Sequence, residues 1–232
     1  MGEESERAMG STETAAGRLS ALRALHRELD ACRRCPAMAG PVVHGEAVLS
    51  PLLLIGQAPG PHEGALGRPF AWTAGRTLFR WFESAGASET QVRGRVYLAA
   101  VARCFPGKAR SGGDRKPGPQ EIGNCREYLR AEADLLEPKL VIPVGALAIE
   151  QVLGHKVALA QVVGRVLEGE LFGHRCELLC LPHPSGASTW HKGQPGQRLL
   201  AEALRQLAEH PEWRRALDRR AQPKPSSNAG GR

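Results

Sequence analysis

No stretch of eighteen apolar residues occurs in the 232-residue sequence, so a membrane-spanning helix is not expected. The opening residues, MGEESERAMGSTETAAG, are polar and acidic and have no apolar core. A secretory signal is therefore not expected, and the cytosol is the expected location. No segment repeats, which sets aside solenoids and propellers. No second CxxC follows the first: Cys32 and Cys35 form the pair, and Cys104, Cys125, Cys176 and Cys180 are scattered behind it. Without a signal peptide these six cysteines point away from disulfides and toward metal ligation or burial.

What is present suits one α/β domain with tails. Hydrophobic residues make up 42% of the chain, ample for a core. Residues 1–16 and 222–232 are small and polar without period and are expected to be disordered, leaving 17–221 as the domain. Lysine and arginine number 31 against 24 acids, a net charge of +7, which leans toward a polyanionic partner.

Apolar runs alternate with helical patterns. Leu19, Leu22, Leu25 and Leu29 fall on one face of a helix that Pro36 would stop. Short apolar runs at 52–55, 96–101 and 139–144 read as buried strands, with Pro143 a poor fit because it cannot donate to a ladder. Helices are expected over 75–84, 120–136 (with Pro119 in its first turn), 145–153 and around 199–207, with another short one from Pro211. Residues 162–181 alternate in places and are broken by Gly169 and Gly173, the pattern of a hairpin or two short strands. The order predicts a three-layer α/β/α fold around a central, mostly parallel, four-stranded sheet.

Residues 52–75, LLLIGQAPGPHEGALGRPFAWTAG, carry the densest chemistry. A buried strand runs into a Gly-Pro loop holding His62 and Glu63, and the loop ends where a helix begins. Such a strand tip is where open α/β sheets bind ligands. A second polar loop, His183-Pro184-Ser185-Gly186, follows the last apolar run. The cysteines leave three readings open. Cys32, Cys35, Cys104 and Cys125 suit a four-thiolate iron–sulfur cluster, whose large frame tolerates scattered ligands. A zinc site usually shows two close pairs. The third reading is a redox CxxC with two core cysteines. Cys176 and Cys180 lie in the apolar hairpin and read as core.

These features resemble the iron–sulfur, family-four-like branch of the uracil-DNA glycosylase superfamily. The first motif of that family, G-E-A-P-G-x-x-E-D-x-x-G-x-P-F-x-G-x-A-G, aligns without a gap on residues 56–75. Its histidine loop matches His183-Pro184, and its four cysteines match Cys32, Cys35, Cys104 and Cys125. The resemblance covers about 25–207. It implies a DNA repair enzyme that flips a deaminated base, uracil foremost, out of DNA and hydrolyses its N-glycosidic bond. It also implies a 4Fe–4S cluster on the four cysteines and a monomer bound to single- or double-stranded DNA. Phe70 matches the phenylalanine that stacks on the base, and Ala58 and Ala100 fall at base-binding positions. His183 matches the donor to the departing base, and Pro184, Ser185 and Gly186 match the segment that wedges into the DNA. Glu63 matches a carboxylate that would help the cationic sugar. In the 107–119 loop, Lys108 and Arg110 are the expected phosphate contacts, with Arg115 and Lys116 beside them.

The departures are specific. The family's water-orienting carboxylate is Gln57 here, which cannot accept a proton and is left to position water. The asparagine that reads a pyrimidine edge is Ala100, and a glycine is Trp72. No histidine stands in the 107–119 loop, so the covalent link to DNA that one relative makes there is not expected. Gln57 and Ala100 together keep a second reading in play, a non-catalytic binder of DNA lesions or single strands on the same fold.

Overall fold

The computed structural model describes residues 3–110 and 112–218. In chain order the elements are α1 (Glu3–Asp30), β1 (Leu52–Gly56), α2 (Glu63–Leu66), α3 (Thr73–Ser84), α4 (Glu89–Arg95), β2 (Tyr97–Ala100), α5 (Pro119–Leu136), β3 (Leu140–Pro143), α6 (Ala146–Leu153), α7 (Leu159–Val162), β4 (Val166–Leu171), β5 (His174–Leu179), α8 (Gly196–Glu209) and α9 (Pro211–Asp218). Helical backbone thus begins at Glu3, upstream of the start that the leucine pattern predicts. The tail expected over 222–232 lies outside the described residues.

The sheet has five strands in the order β2-β1-β3-β5-β4, a correction to the expected four. β2, β1, β3 and β5 run parallel to one another, and β4 is an edge strand antiparallel to β5. The cause is the turn between β4 and β5. Leu171 pairs with His174, and the two residues between them, Phe172 and Gly173, both have positive φ (53° and 96°). That backbone suits a two-residue hairpin turn, so the alternating stretch folds back on itself and supplies both β4 and β5. Pro143 closes β3, where its carbonyl accepts from Leu181 N–H at 3.0 Å and the next N–H, that of Val144, reaches Ile55 O at 2.9 Å.

Every residue of β1 is buried, because helices cover both faces. Leu52 and Leu54 pack with Leu78, Phe82 and Trp213 on one side, while Leu53 and Ile55 pack with Leu22, Leu129 and Ala133 on the other. This double burial explains a continuous apolar run in place of alternation. Trp213 of α9 is fully buried, and its indole N–H donates to Ala85 O at 2.9 Å, which fixes the end of the described chain onto α3. Among the described residues no helix is long and apolar enough to cross a membrane.

The parallel strands end on one edge of the sheet. β1 delivers Gly56 and Gln57, β2 delivers Ala100, β3 leads to Gly145, and the segment after β5 leads to His183. Val144 and Leu181 continue the parallel pairing of β3 and β5 by one bridge. The edge is therefore built of adjacent strand tips, the usual ligand side of such a sheet.

Candidate active site

The loop after β1 is held by one carboxylate. Glu63 is buried, 8% exposed, and its two oxygens accept from the backbone N–H groups of Gly60 (2.5 Å) and Ala71 (3.0 Å). It thus ties the start of the loop to its end and fixes a negative charge beneath it. Gln57 is half-buried at the strand tip, with its carbonyl accepting from Ala102 N–H at 3.0 Å. Ala100 is buried, and its carbonyl accepts from Arg103 Nε at 2.9 Å.

Phe70 sits in the left-handed region (φ 53°), a strained conformation for a bulky residue. Two features hold it there. The guanidinium of Arg93, on α4, donates to Pro69 O (2.9 Å) and Phe70 O (3.1 Å). Its Nε donates to Glu89 at 2.7 Å, and the group lies over the Phe79 ring at 4.5 Å. The chain also passes so close that a Cβ on Gly75 would come within 1.7 Å of Phe70 O, and one on Gly56 within 2.8 Å of the Phe70 ring. Those two glycines let the ring lie across the tip of β1.

His183 lies against the neighbouring tip, where a Cβ on Gly145 would meet its ring at 3.0 Å. Ser185 N–H donates to His183 Nδ1 at 3.2 Å, so the neutral ring carries its proton on Nε2. Burial pulls its pKa below 6.5, His191 pulls the same way, and Asp114 opposes them. The phenyl ring and the imidazole therefore flank adjacent strands. His191 belongs to the same group. It sits in a 3-10 turn, Trp190–Lys192, edge-on to Trp81 at 5.2 Å. Its Nδ1 is buried and has no partner among the described residues.

The 107–119 loop folds as a small ribbon, with Lys108 bridged to Asp114 and Ala109 N–H donating to Gly113 O at 3.0 Å. Lys108 pairs with Asp114 at 2.6 Å, and Arg115 makes two bonds of 2.6 and 2.5 Å to Glu121. Arg110 and Lys116 are exposed. Of the wedge residues, Pro184 is buried, Ser185 half-buried and Gly186 exposed.

The four cysteines gather behind the β1 and β2 tips. Cys35, Cys104 and Cys125 pack with Met38, Ala102 and the loop residue Ala58. Burial pushes the Cys104 thiol up to about 11, and Cys125, Cys32 and Cys35 push it the same way. The chain after the CxxC is pinned to the chain after Cys104: Ala39 and Phe105 exchange two backbone bonds, and Val43 N–H donates to Arg103 O. Asn124 Nδ2 donates to Cys35 Sγ at 3.3 Å, and Tyr128 neighbours Cys32. All six cysteines are free thiols, and Cys176 and Cys180 are buried core, as expected. Among the described residues no three Cys, His, Asp or Glu side chains converge on a point suited to one metal ion.

The fold brings Gln57, Ala58, Phe70, Ala100 and His183, each a candidate from the sequence, to one edge of the sheet. Arg93 is not among the sequence candidates, because a lone arginine on a seven-residue helix carries no local signal. Neither is His191, although a second histidine eight residues beyond the first is a visible clue.

Residues 43–208 match the family model described as the uracil DNA glycosylase superfamily. A type-4 uracil-DNA glycosylase of Pyrobaculum aerophilum is 30% identical over 175 residues, covering 71% of this chain and 83% of that protein. A type-4 uracil-DNA glycosylase of Archaeoglobus fulgidus is 26% identical over 166 residues, 68% of this chain and 79% of its own length. A type-5 uracil-DNA glycosylase of P. aerophilum is 30% identical over 172 residues, with 68% of this chain and 70% of that one covered.

Proposed function

The chain belongs to the uracil-DNA glycosylase superfamily, and from that we propose that it is a monofunctional DNA repair glycosylase, with uracil as the foremost substrate. One juxtaposition carries the reading. A phenyl ring on a strained backbone and a half-buried neutral imidazole stand on adjacent strand tips, at the ligand edge of the sheet. A base inside a duplex is out of reach of such a pocket, so the nucleotide is extruded into it. Phe70 stacks on the base, with Ala58 and Ala100 forming its walls. The C1′–N bond breaks with its electron pair leaving on the base. His183 Nε2–H donates to the base oxygen as that negative charge develops. Gln57 positions the water whose oxygen bonds to C1′, and the water's proton passes to solvent or to the departed base. Glu63 acts as a positioning residue: it shapes the loop, and its fixed charge lies on the side where the sugar becomes cationic. Arg110, Pro184, Ser185 and Gly186 contact the DNA, and Lys108 joins them by exchanging Asp114 for a phosphate, since an exposed ion pair is worth little. The protein acts as a monomer in the cytosol.

The test is strand cleavage at abasic sites after incubation with oligonucleotides carrying uracil, hypoxanthine or xanthine. Release of uracil is expected. DNA binding without release of any of the three overturns the enzyme reading in favour of the lesion-binding one, which rests on Gln57 and on Ala100 offering only a methyl group to the base.

We further propose that Cys32, Cys35, Cys104 and Cys125 hold a 4Fe–4S cluster. The donor set is right: four thiols, neighbours of one another, with an amide donor already aimed at Cys35. A structural zinc site usually takes its thiols as two close pairs, whereas Cys104 and Cys125 stand 21 residues apart. The cluster would be structural, and these cysteines would lock the Ala39–Phe105 crossing and the Ala58 loop in place. Anaerobically purified protein is expected to be brown with about four irons and four sulfides, and Cys32→Ser or Cys125→Ser to lose the colour. Stoichiometric zinc without sulfide overturns this.

A further inference from the structure

Trp72 is the most unusual residue of the first loop. It stands where the family pattern has glycine, and 46% of its surface is exposed. A glycine-to-tryptophan change adds the largest side chain at a position where none is needed for folding. The ring is not free to wander. His62 packs against it with ring centroids 4.4 Å apart and the planes tilted by 38°, and the Arg76 guanidinium lies 5.9 Å from its centroid. The backbone around it is fixed: in the preceding peptide Ala71 N–H is held by Glu63 and Phe70 O by Arg93, and Trp72 O accepts from Arg76 N–H at 3.1 Å. The outcome is a preorganised aromatic surface with a cation beside it, at the rim of the base pocket.

Resting on the glycosylase reading, we infer that Trp72, with His62 and Arg76, is a stacking platform for the unpaired base next to the extruded one, and that it directs the enzyme to single-stranded or locally melted DNA. Spacing supports this. Phe70 and Trp72 are two residues apart, so their Cα atoms lie at most about 7 Å from each other. Both rings are thus within reach of neighbouring nucleotides of one strand. Chemistry supports it too. An aromatic face accepts any base, and arginine beside it serves the phosphate or stacks in turn. In an intact duplex the neighbouring base is already stacked and paired, so the platform gains nothing unless that pair opens.

The test uses a single-stranded oligonucleotide with one 2′-fluoro-2′-deoxyuridine, which resists hydrolysis, and versions in which the base on its 5′ or 3′ side is replaced by an abasic analogue. Trp72→Ala is expected to weaken binding roughly 5- to 100-fold, the range for losing one base–aromatic stack, and Trp72→Phe to weaken it far less. Deleting the neighbouring base on one flank is expected to cost wild type a similar factor and to cost Trp72→Ala almost nothing, because the two partners of one contact are not additive. Equal losses from the flank deletion in both proteins overturn the platform, as does Trp72→Ala binding as tightly as wild type. If Trp72→Ala does not fold, the flank deletions in wild type and Trp72→Phe decide: no cost on either flank overturns the inference. These results are separate from the failure of the glycosylase reading, which is wild type releasing no uracil from either single or double strands.

Discussion

Replacing His183 by alanine is expected to slow single-turnover release of the base by roughly 10²–10³-fold, the cost of removing one preorganised donor from a developing oxyanion. DNA binding is expected to survive, because phosphate contacts carry most of the affinity. The geometry assigns the proton. Ser185 N–H occupies Nδ1, so Nε2 is the donor of a neutral ring. Protonation would put a hydrogen on Nδ1, oppose Ser185 N–H and unseat the loop that holds Pro184 and Gly186. The working form is therefore neutral, and burial and His191 hold the pKa below 6.5. The sign follows: release is full at neutral pH and falls as the pH drops through a value under 6.5. Asp114 raises that value, so Asp114→Asn moves the acid limb lower still. Equal release rates for wild type and His183→Ala would remove His183 from the chemistry, and an acid limb above 6.5 would contradict the neutral-ring assignment.

The same loop shows where sequence reading succeeds and where it stops. The glycines at 56 and 75 are visible in the motif, but their purpose appears only when Phe70 is seen folded across one and against the other. Glu63 is visible as a carboxylate. That both its oxygens face backbone amides depends on how eight residues of loop close, which no spacing encodes. The strands of the parallel core are legible because burial on two faces writes a continuous apolar run. Helix α4 is not, since Val92 is its only buried residue and a single apolar residue makes no stripe. Yet α4 supplies Arg93, the clamp on Phe70. Either reading of 162–181 holds two strands, and what the sequence leaves open is whether both join the central sheet, as β5 does by pairing with β3 and β4 by pairing with β5. A tight turn at Phe172-Gly173 decided it.

The least legible feature is a buried charge pair behind the site, and its removal is the second large effect expected. Arg103 and Glu132 are 1% and 0% exposed, and Arg103 Nη2 donates to Glu132 Oε2. Glu132 also accepts from Tyr97 OH at 2.8 Å, and that hydroxyl meets His26 Nε2 at 2.8 Å. Burial alone would lower the Arg103 pKa, but Glu132 and then Tyr97 reverse it and raise it. Arg103 therefore remains a cation in the interior, and its Nη1 has no partner among the described residues. Truncating Glu132 to alanine strands that charge and takes away the acceptor of the Tyr97 hydroxyl, which keeps only His26 Nε2. Breaking a buried pair on one side costs about 3–5 kcal/mol, which for a domain of this size lowers the melting temperature by roughly 6–20 °C. The damage reaches the site, because Arg103 holds Ala100 O through Nε and stands next to Cys104 in the chain. Glu132→Gln keeps the acceptor for Tyr97 and is expected to lose less. The double variant Arg103→Met/Glu132→Leu is expected to recover most of the stability, since it removes both charges and fills the space with apolar atoms. Thermal melts of the three variants beside wild type decide it. Glu132→Ala melting within a degree or two of wild type, or the double variant melting no higher than Glu132→Ala, would show that the pair does not hold this wall of the site together.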